Sequence, residues 1–93
     1  MTHPIQITLL TQSSCGFCDH AKEVLSRVGA DYPLEITEID LAAEEGQLLA
    51  ARTGVLFAPG VLVDRESFSF GRISERKLRR TLDQRRQERS AHA

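Results

Sequence analysis

The sequence has 93 residues, of which 41% are hydrophobic and 27% charged, and these proportions favour one globular domain and exclude a disordered chain. No apolar run approaches the roughly 20 residues of a membrane-spanning helix, so we expect no membrane association. The net charge of -1 hides an asymmetry, because residues 1–66 carry four Lys or Arg against ten Asp or Glu and residues 67–93 carry eight against three. A solvated helix face is the simplest interpretation of the basic stretch and an acidic partner the alternative, while the lack of interleaved aromatic side chains argues against nucleic acid.

The start of the sequence lacks the basic residues and the long apolar run that are typical of a secretory signal. We therefore expect a cytoplasmic protein. In that compartment a lone cysteine pair is seldom a permanent structural disulfide.

Residues 5–10 alternate between apolar and polar side chains and predict a first strand. Residues 11–14 form a polar loop. The helix that follows is predicted from an apolar stripe at spacing i, i+3, i+4 and i+7, whose members are Ala21, Val24, Leu25 and Val28. Gly29 suits the C′ position at which this helix stops.

The middle of the sequence predicts one more strand and one more helix. Residues 34–41 are rich in strand-forming residues, although their alternation loses phase after Ile36. Residues 42–52 predict a short helix, which Gly46 weakens and Gly54 ends.

Two short strands are predicted next, at residues 61–63 and 68–70. The turn between them centres on Asp64 and Arg65, which favours an antiparallel hairpin. Gly71 ends the second of these strands.

Ser74 is a suitable N-cap for a last helix, whose apolar positions are Leu78 and Leu82. The stretch after this helix has no apolar stripe. We therefore predict one domain over residues 1–84, followed by a basic C-terminal extension, 85–93, that frays.

The predicted order of elements is β-α-β-α-β-β-α. A strand–helix–strand unit implies a parallel pair with a right-handed crossover, and the closing hairpin adds antiparallel strands. The prediction is an α/β fold with a four-stranded mixed sheet covered by helices.

Cys15 and Cys18 lie where the loop after the first strand turns into the first helix. At positions i and i+3 of a helical turn their Cβ atoms lie about 5–6 Å apart, within reach of a disulfide. The unpaired N–H groups and the dipole of the helix N-terminus favour a thiolate at Cys15, and the thiolate is the attacking species. We predict that Cys15 is the exposed nucleophile and that Cys18, one turn further in, resolves the mixed disulfide.

Three other interpretations of the cysteine pair stay open. A zinc site needs two more ligands, and His20 supplies only one of them. The second alternative is a structural disulfide or a pair of inert buried thiols, and the third is an iron–sulfur cluster. A Cys-x-x-Cys near a strand–helix–strand pattern favours redox exchange over all three.

The neighbours of the cysteines have predicted roles as well. Gly16 lets a partner backbone approach closely, and Phe17 either presents an apolar surface beside the sulfur or packs under the loop. His20 is either an ordinary exposed helix residue or a group that tunes Cys15.

Ala58 and Pro59 directly precede the third strand, where a proline is out of place unless it has a special role. If the bond between them is cis, the Ala58 backbone is turned toward the cysteines and pairs with a substrate backbone. The alternative is an ordinary trans proline.

These features together resemble the thioredoxin superfamily, and glutaredoxin-like proteins most closely, over about residues 4–84. The resemblance depends on Thr11-Gln12-Ser13-Ser14-Cys15-Gly16-Phe17-Cys18, on Ala58-Pro59-Gly60-Val61-Leu62-Val63 and on Gly71 before the last helix. It implies a thioredoxin fold and a cis Pro59. Beside the two catalytic cysteines, the candidate substrate-binding residues are Gln12, Gly16, Phe17, Ala58, Pro59, Gly71, Arg72 and Ser74.

The sequence departs from the usual glutaredoxin pattern at the positions that hold glutathione. Gln12 stands where a Lys or Arg is usual, and Ser74 where an Asp is usual. Arg52 or Arg72 is a candidate substitute for the missing cation, and Ser74 still offers a helix N-terminus to a carboxylate. Monothiol glutaredoxins, which share an iron–sulfur cluster across a dimer, have a Ser in place of Cys18.

We therefore predict a monomeric thiol–disulfide oxidoreductase, without a tightly bound cofactor or metal, that reduces protein or glutathione mixed disulfides. Glutathione as co-substrate or a flavoprotein reductase supplies the electrons. The alternatives are a glutathione-dependent iron–sulfur cluster carrier or redox-regulated binding module, and a thioredoxin-like electron donor served by a flavoprotein.

Overall fold

The computed structural model describes residues 3–91, with side chains through residue 88. Seven elements follow in chain order: β1 (Ile5–Thr11), α1 (Gly16–Gly29), β2 (Leu34–Asp40), α2 (Glu44–Thr53), β3 (Gly60–Val63), β4 (Glu66–Phe70) and α3 (Glu75–Ala91). This order confirms the predicted one, with most element ends shifted by one or two residues.

The four strands form one mixed sheet in the order β2-β1-β3-β4. β1 is parallel to β2 and antiparallel to β3, and β3 is antiparallel to β4. The predicted fold class, a four-stranded mixed sheet with three helices, is confirmed.

Each face of the sheet carries its own apolar cluster. The larger cluster lies between the sheet and helices α1 and α3, and it includes the predicted stripe of α1 together with Ile5, Ile7, Leu9, Val61, Val63, Leu78 and Leu82. The smaller cluster lies under α2 around Leu10, Val55 and Leu62. In β2, Leu34 packs on the larger cluster and Ile39 on the smaller one, so the apolar residues of this strand serve opposite faces and its alternation changes phase.

The end of α1 differs from the prediction. Gly29 is the last helical residue and not a left-handed C′ glycine, and Ala30 caps the helix in the right-handed conformation with φ −71°. The Ala30 N–H bonds to the Arg27 carbonyl at 3.2 Å, and the Tyr32 N–H bonds to the Val28 carbonyl at 3.0 Å. The helix therefore closes on ordinary turn hydrogen bonds, which need no residue with positive φ.

α2 packs closely on the end of β2 and ends at a left-handed glycine. Gly46 is buried, and a Cβ at that position would overlap the backbone carbonyl of Asp40. The glycine that weakens this helix intrinsically therefore permits its close packing. Gly54 has φ 77° and donates its N–H to the Ala50 carbonyl at 2.9 Å, which confirms the predicted end.

The hairpin between β3 and β4 turns through Asp64 and Arg65, whose φ angles are 49° and 70°. Positive φ at both central residues is typical of the two-residue turns that match the twist of the strands. The predicted hairpin is confirmed, although β4 begins at Glu66, two residues earlier than predicted.

A bulge interrupts the pairing of β3 with β4. Leu62 pairs with Ser67, but Val61 pairs with Ser69, so Phe68 is the extra residue of β4. An extra residue shifts the alternation of every side chain that follows it.

The bulge separates two phenylalanines that would otherwise share a face. Phe68 packs on the cluster under α1 and α3. Phe70 pairs with Gly60, and the missing Cβ of Gly60 faces Val55 and Leu10 in the other cluster. Phe70 therefore lies on the α2 face of the sheet.

α3 begins as predicted, because the Ser74 hydroxyl accepts the Lys77 N–H at 3.2 Å. Leu78 and Leu82 are fully buried. No helix in the described part of the chain, α3 included, is long and apolar enough to cross a membrane.

The predicted C-terminal extension begins inside α3. The helix continues without a break through residues 85–91. Arg85 bonds to Glu66 at 3.0 Å, and the Arg86 guanidinium lies 5.2 Å from the centre of the Tyr32 ring. The first turn of the extension thus contacts the domain, while its last two residues lie outside the described part of the chain. The division at residue 84 stays a prediction.

Candidate active site

Strand pairing determines which segments meet at the cysteines. Leu10 near the end of β1 pairs with Gly60 at the start of β3, and the two strands are antiparallel. The loop that carries Cys15 leaves β1 at this end of the sheet, and Pro59 enters β3 at the same end. The sheet therefore brings together the two segments that the sequence singles out.

Cys15 and Cys18 form a disulfide at the start of α1, with their Cα atoms 5.2 Å apart. Cys15 is the N-cap of the helix, and its Sγ accepts the Cys18 N–H at 3.2 Å. Cys15 is partly exposed, whereas Cys18 is buried with 3% exposure. One sulfur is therefore accessible and accepts a helix N–H, and the other lies inside the fold, as their positions in the sequence predict.

A polar cleft lies beside Cys15, between the loop after β1 and the end of β2. It is lined by residues 11–16 and by Cys18, Asp19, Lys22 and Asp40. Gln12 and Gly16, two of the predicted substrate-binding residues, are among its walls. A Cβ on Gly16 would contact nothing within 4 Å, so the approach to the sulfur is open there.

The charges along the polar cleft are mainly negative. Asp19 and Asp40 line it, and among the described residues Lys22 is its cationic side chain. The Lys22 ammonium pairs with Glu38 at 3.3 Å. The cleft therefore offers little positive charge to an anionic ligand.

A second, less polar cleft adjoins the first at Gly16, and Phe17, His20 and Arg72 complete it. Phe17 is 57% exposed, which places its ring beside the active-site turn and not under the loop. His20 is partly buried, and its Nδ1 has no hydrogen-bond partner in the described part of the chain. His20 is therefore less exposed than an ordinary surface histidine of a helix, and it lines this cleft beside the active-site turn.

The bond between Ala58 and Pro59 is cis, as the resemblance implies, and both residues are buried. The Gly71 N–H donates to the Pro59 carbonyl at 2.8 Å. Gly71 has φ 81°, and a Cβ there would lie 3.0 Å from the Phe57 ring. Gly71 therefore meets two requirements at once, a left-handed backbone and close contact with an aromatic ring.

The three residues that were predicted to contact a carboxylate, Arg52, Arg72 and Ser74, lie in different parts of the structure. The Ser74 hydroxyl caps α3 and lines neither cleft. Arg52 lines a different cavity, between α2 and strands β1 and β2. Arg72 is thus the candidate cation that the fold brings beside the Cys15 turn.

An exposed aromatic pair was not predicted from the sequence. Phe57 and Phe70 are 53% and 38% exposed, and their rings meet edge to face with centroids 5.0 Å apart. Leu56 beside them is 76% exposed. The available signal was the apolar Leu56-Phe57 dipeptide directly before Ala58 and Pro59, but the position of Phe70 depends on the bulge.

The cysteine pair provides reversible disulfide exchange, since a thiolate attacks a disulfide sulfur through a mixed-disulfide intermediate. The described residues contain no group of three or more His, Cys, Asp or Glu side chains arranged to hold a metal ion. The two sulfur atoms of Cys15 and Cys18 are what the site offers for thiol–disulfide exchange.

A mixed four-stranded sheet with a redox-capable cysteine pair at the first helix defines the thioredoxin-like structural class. Solved structures agree in fold. A thioredoxin mutant from Halobacterium salinarum is 21% identical with a TM-score of 0.65, over 88% of this chain and 74% of that one. A thioredoxin-like protein from Clostridium perfringens is 19% identical with a TM-score of 0.69, over 87% and 70%. A Staphylococcus aureus protein of unknown function is 17% identical with a TM-score of 0.60, over 88% and 91%.

Comparison of the sequence with family models identifies the family within this structural class. The model of the glutaredoxin-like domain family (DUF836) matches residues 6–83, and the chain belongs to this family. No match was found among curated proteins. The resemblance to glutaredoxin-like proteins is therefore confirmed at the level of family and fold.

Proposed function

We propose that this protein is a dithiol thiol–disulfide oxidoreductase that reduces protein disulfides and mixed disulfides. The observation that carries the proposal is the Cys15 sulfur at the N-cap of α1, partly exposed and accepting the Cys18 N–H at 3.2 Å. In the reduced protein the same N–H group and the helix dipole favour the Cys15 thiolate, which is the form that attacks a disulfide.

In the first step the Cys15 thiolate attacks one sulfur of the substrate disulfide. A bond forms between Cys15 Sγ and that sulfur, the substrate S–S bond breaks, and the departing thiolate takes a proton from water. The open space at Gly16 leaves room for the substrate backbone during this attack.

In the second step Cys18 loses its proton and attacks Cys15 Sγ. The bond between Cys15 and the substrate breaks, and the second substrate thiolate leaves and is protonated. The substrate has then gained two electrons and two protons, and the protein holds the Cys15–Cys18 disulfide. The Cα separation of 5.2 Å is within the range that a disulfide spans.

The walls of the two clefts and the segment that precedes β3 supply the substrate contacts. The Ala58 backbone beside Pro59 pairs with the substrate main chain. Phe17 and Arg72 contact its side chains on one side of Cys15, and Gln12 does so on the other.

A flavoprotein reductase is favoured over glutathione as the electron donor. Glutathione carries two carboxylates, and the cleft beside Cys15 is lined by Asp19 and Asp40, with Lys22 already paired. Like charges disfavour such a ligand, and among residues 3–88 Arg72 is the unpaired cation that lies beside the turn. A reduced reductase returns two electrons and leaves Cys15 and Cys18 as thiols.

The decisive test is a disulfide-reduction assay on single cysteine variants. We expect Cys15→Ser to lose activity and Cys18→Ser to accumulate mixed disulfides that mass spectrometry detects, because attack survives but resolution does not. Ser26→Ala, at an exposed position of α1 that lines neither cleft, is the control and should behave as the wild type. Wild-type activity of Cys15→Ser would end the proposal.

The electron donor is tested by running one substrate assay with two reducing systems, glutathione plus its reductase and NADPH plus a thioredoxin reductase. Faster turnover with the flavoprotein system is expected, and faster turnover with glutathione would reverse the assignment. An absorption spectrum of anaerobically purified protein tests the cluster-carrier alternative, which requires visible-region bands.

A further inference from the structure

We propose that the outward side of the first two turns of α3, together with Arg72 just before the helix, is a docking surface for an acidic segment of the redox partner protein. This surface, the α3 basic face, consists of Arg72, Arg76, Lys77 and Arg80. Reduction of a disulfide in the docked partner rests on the proposed function. Docking itself can be measured without any reaction.

Two arginines of α3 that face the fold are neutralised by carboxylates, and a third, Arg86, lies over the Tyr32 ring. Arg79 pairs with Asp31 at 2.7 Å and with Glu75 at 3.1 Å. Arg85 pairs with Glu66 at 3.0 Å. These cations stabilise contacts of α3 with α1 and with the hairpin.

The α3 basic face has no such neutralisation. All four of its side chains are exposed, and none has an ion-pair or hydrogen-bond partner within residues 3–88. Four uncompensated positive charges within residues 72–80 form a concentrated positive surface on a chain whose net charge is -1.

These charges oppose the stability of the helix that carries them. Arg76 and Lys77 are the second and third residues of α3, where the positive end of the helix dipole disfavours cations. Arg76 and Arg80 are four residues apart and repel each other across one turn. Side chains that break local rules without a compensating contact in the fold are expected at sites that serve a partner.

The α3 basic face is continuous with the active-site turn. Arg72 lies two residues before the Ser74 cap and lines a cleft with Gly16 and Phe17. Gly16 also lines the cleft that contains Cys15. If the partner's acidic segment lies along α3, a partner cysteine adjacent to that segment in sequence lies close to the Cys15 sulfur.

The charges on the two sides of Cys15 determine on which side of Cys15 the acidic segment binds. Asp19 and Asp40 line the polar cleft and repel acidic side chains, whereas Arg72 lies on the α3 side and attracts them. The exposed Phe57 ring touches the position of Gly71 next to Arg72 and offers an apolar contact. A protein segment with acidic and apolar side chains fits this surface better than a nucleic acid, since no aromatic side chain interleaves with the α3 cations.

The test uses two peptide probes with the same intermolecular disulfide, one flanked by four Glu or Asp residues and one by Gln and Asn. We expect the wild-type protein to reduce the acidic probe about tenfold faster than the neutral probe at low ionic strength, with the difference shrinking as salt is added. Arg76→Gln/Arg80→Gln should lose most of this preference and reduce the neutral probe at the wild-type rate. Arg52→Gln/Arg65→Gln, which removes two exposed cations elsewhere, should keep it.

Retention of the preference in Arg76→Gln/Arg80→Gln would overturn the inference, as would an equal loss of rate toward both probes. Fluorescence anisotropy with an acidic peptide that contains no disulfide measures docking alone. Weaker binding to the double variant supports the α3 basic face even if no disulfide is reduced, so the two proposals fail separately. Tighter binding of a single-stranded oligonucleotide than of the acidic peptide would assign the surface to nucleic acid and overturn the inference.

Discussion

Cys15 and Cys18 are three residues apart, yet the start of α1 gives their sulfurs different surroundings. Cys15 lies at the N-cap, partly exposed, with the Cys18 N–H pointing at its sulfur. Cys18 lies one turn further in and is buried. Burial disfavours a thiolate and helix N–H groups favour one, so the two positions suit the successive roles of attack and resolution.

Two helical glycines, Gly46 and Gly29, have different surroundings, so alanine should affect stability differently at the two positions. A Cβ on Gly46 would overlap the Asp40 carbonyl, whereas one on Gly29 would lie 3.9 Å from Leu34, an ordinary contact. We expect Gly46→Ala to lower the free energy of unfolding by about 1–3 kcal/mol, because overpacking exceeds the gain in helix propensity of about 1 kcal/mol. Urea unfolding measures the change.

Gly29→Ala is the matched control for that substitution. It should leave the free energy of unfolding unchanged or raise it by up to about 1 kcal/mol, because helix propensity acts without a clash. Equal effects of the two alanines would contradict the close contact between α2 and the end of β2.

Tyr32 connects the end of α1 to α3 through its hydroxyl, which donates to Asp83 at 2.6 Å. This hydrogen bond, with burial as the second cause, raises the pKa of Tyr32 above its usual value of 10.0. The stabilisation is therefore complete below about pH 10 and is lost as the pH rises through the raised pKa, since a phenolate cannot donate.

We expect Tyr32→Phe to lower the free energy of unfolding by about 1–2 kcal/mol at neutral pH. Comparison of wild type and variant by urea unfolding at pH 7 and at about pH 11 checks the sign, because the difference should shrink at the higher pH. A difference that stays constant between the two pH values would show that the loss comes from packing and not from the hydroxyl.

Helices α1 and α3 are joined by a network of ion pairs centred on Glu75. Its carboxylate bonds to Arg27 at 2.8 Å and to Arg79 at 3.1 Å. The hydrogen bond from Arg27 is the main cause that lowers the pKa of Glu75 below its usual value of 4.5, and the hydrogen bond from Arg79 is the next largest. The stabilisation is therefore present above about pH 4.5 and is lost as the pH falls through the lowered pKa.

Glu75→Gln should lower the unfolding midpoint in urea at pH 7, and the difference from wild type should disappear at strongly acidic pH and diminish in high salt. Glu23→Gln, an exposed position of α1 outside this network, is the control. A loss of stability at pH 7 that is unchanged by acid and by salt would contradict an ion-pair origin.

In the folded protein, acidic residues from the first part of the sequence neutralise some of the basic residues of the last part and leave others exposed. The acidic part of the sequence supplies Asp31, Asp64 and Glu66 to arginines of α3. These pairs cover the side of α3 that faces the domain and leave its outward side positive. The positive surface adjoins the active-site turn, because Arg72 belongs both to the cleft and to the α3 basic face.

Reduction of the disulfide should leave the fold unchanged. The cysteines lie on one helical turn with Cα atoms 5.2 Å apart, so the bond constrains no distant elements. We expect amide spectra of oxidised and reduced protein to differ only within residues 11–22 and near Pro59, with equal far-UV circular dichroism. Shifts spread through α3 or β2 would contradict this and would indicate a redox-driven rearrangement.

Features that depend on neighbours within a turn or two could be predicted from the sequence. Apolar spacing predicted β1, α1 and α3, Ser74 predicted a helix start, and Asp64 and Arg65 marked the hairpin turn. The spacing of Cys15 and Cys18 at a strand-to-helix junction predicted the chemistry. Each of these signals is local, because hydrogen bonds within one turn or one strand pair decide the outcome.

Which distant segments share a surface could not be predicted from the sequence and depends on the folded structure. It placed Arg72 beside the cysteines while Arg52 and Ser74 lie elsewhere, and it divided the arginines of α3 into paired and unpaired groups. A single bulge moved Phe70 to the face of Phe57. Such neighbours depend on strand register and on the packing of helices over the sheet, which the local pattern of one sequence does not encode.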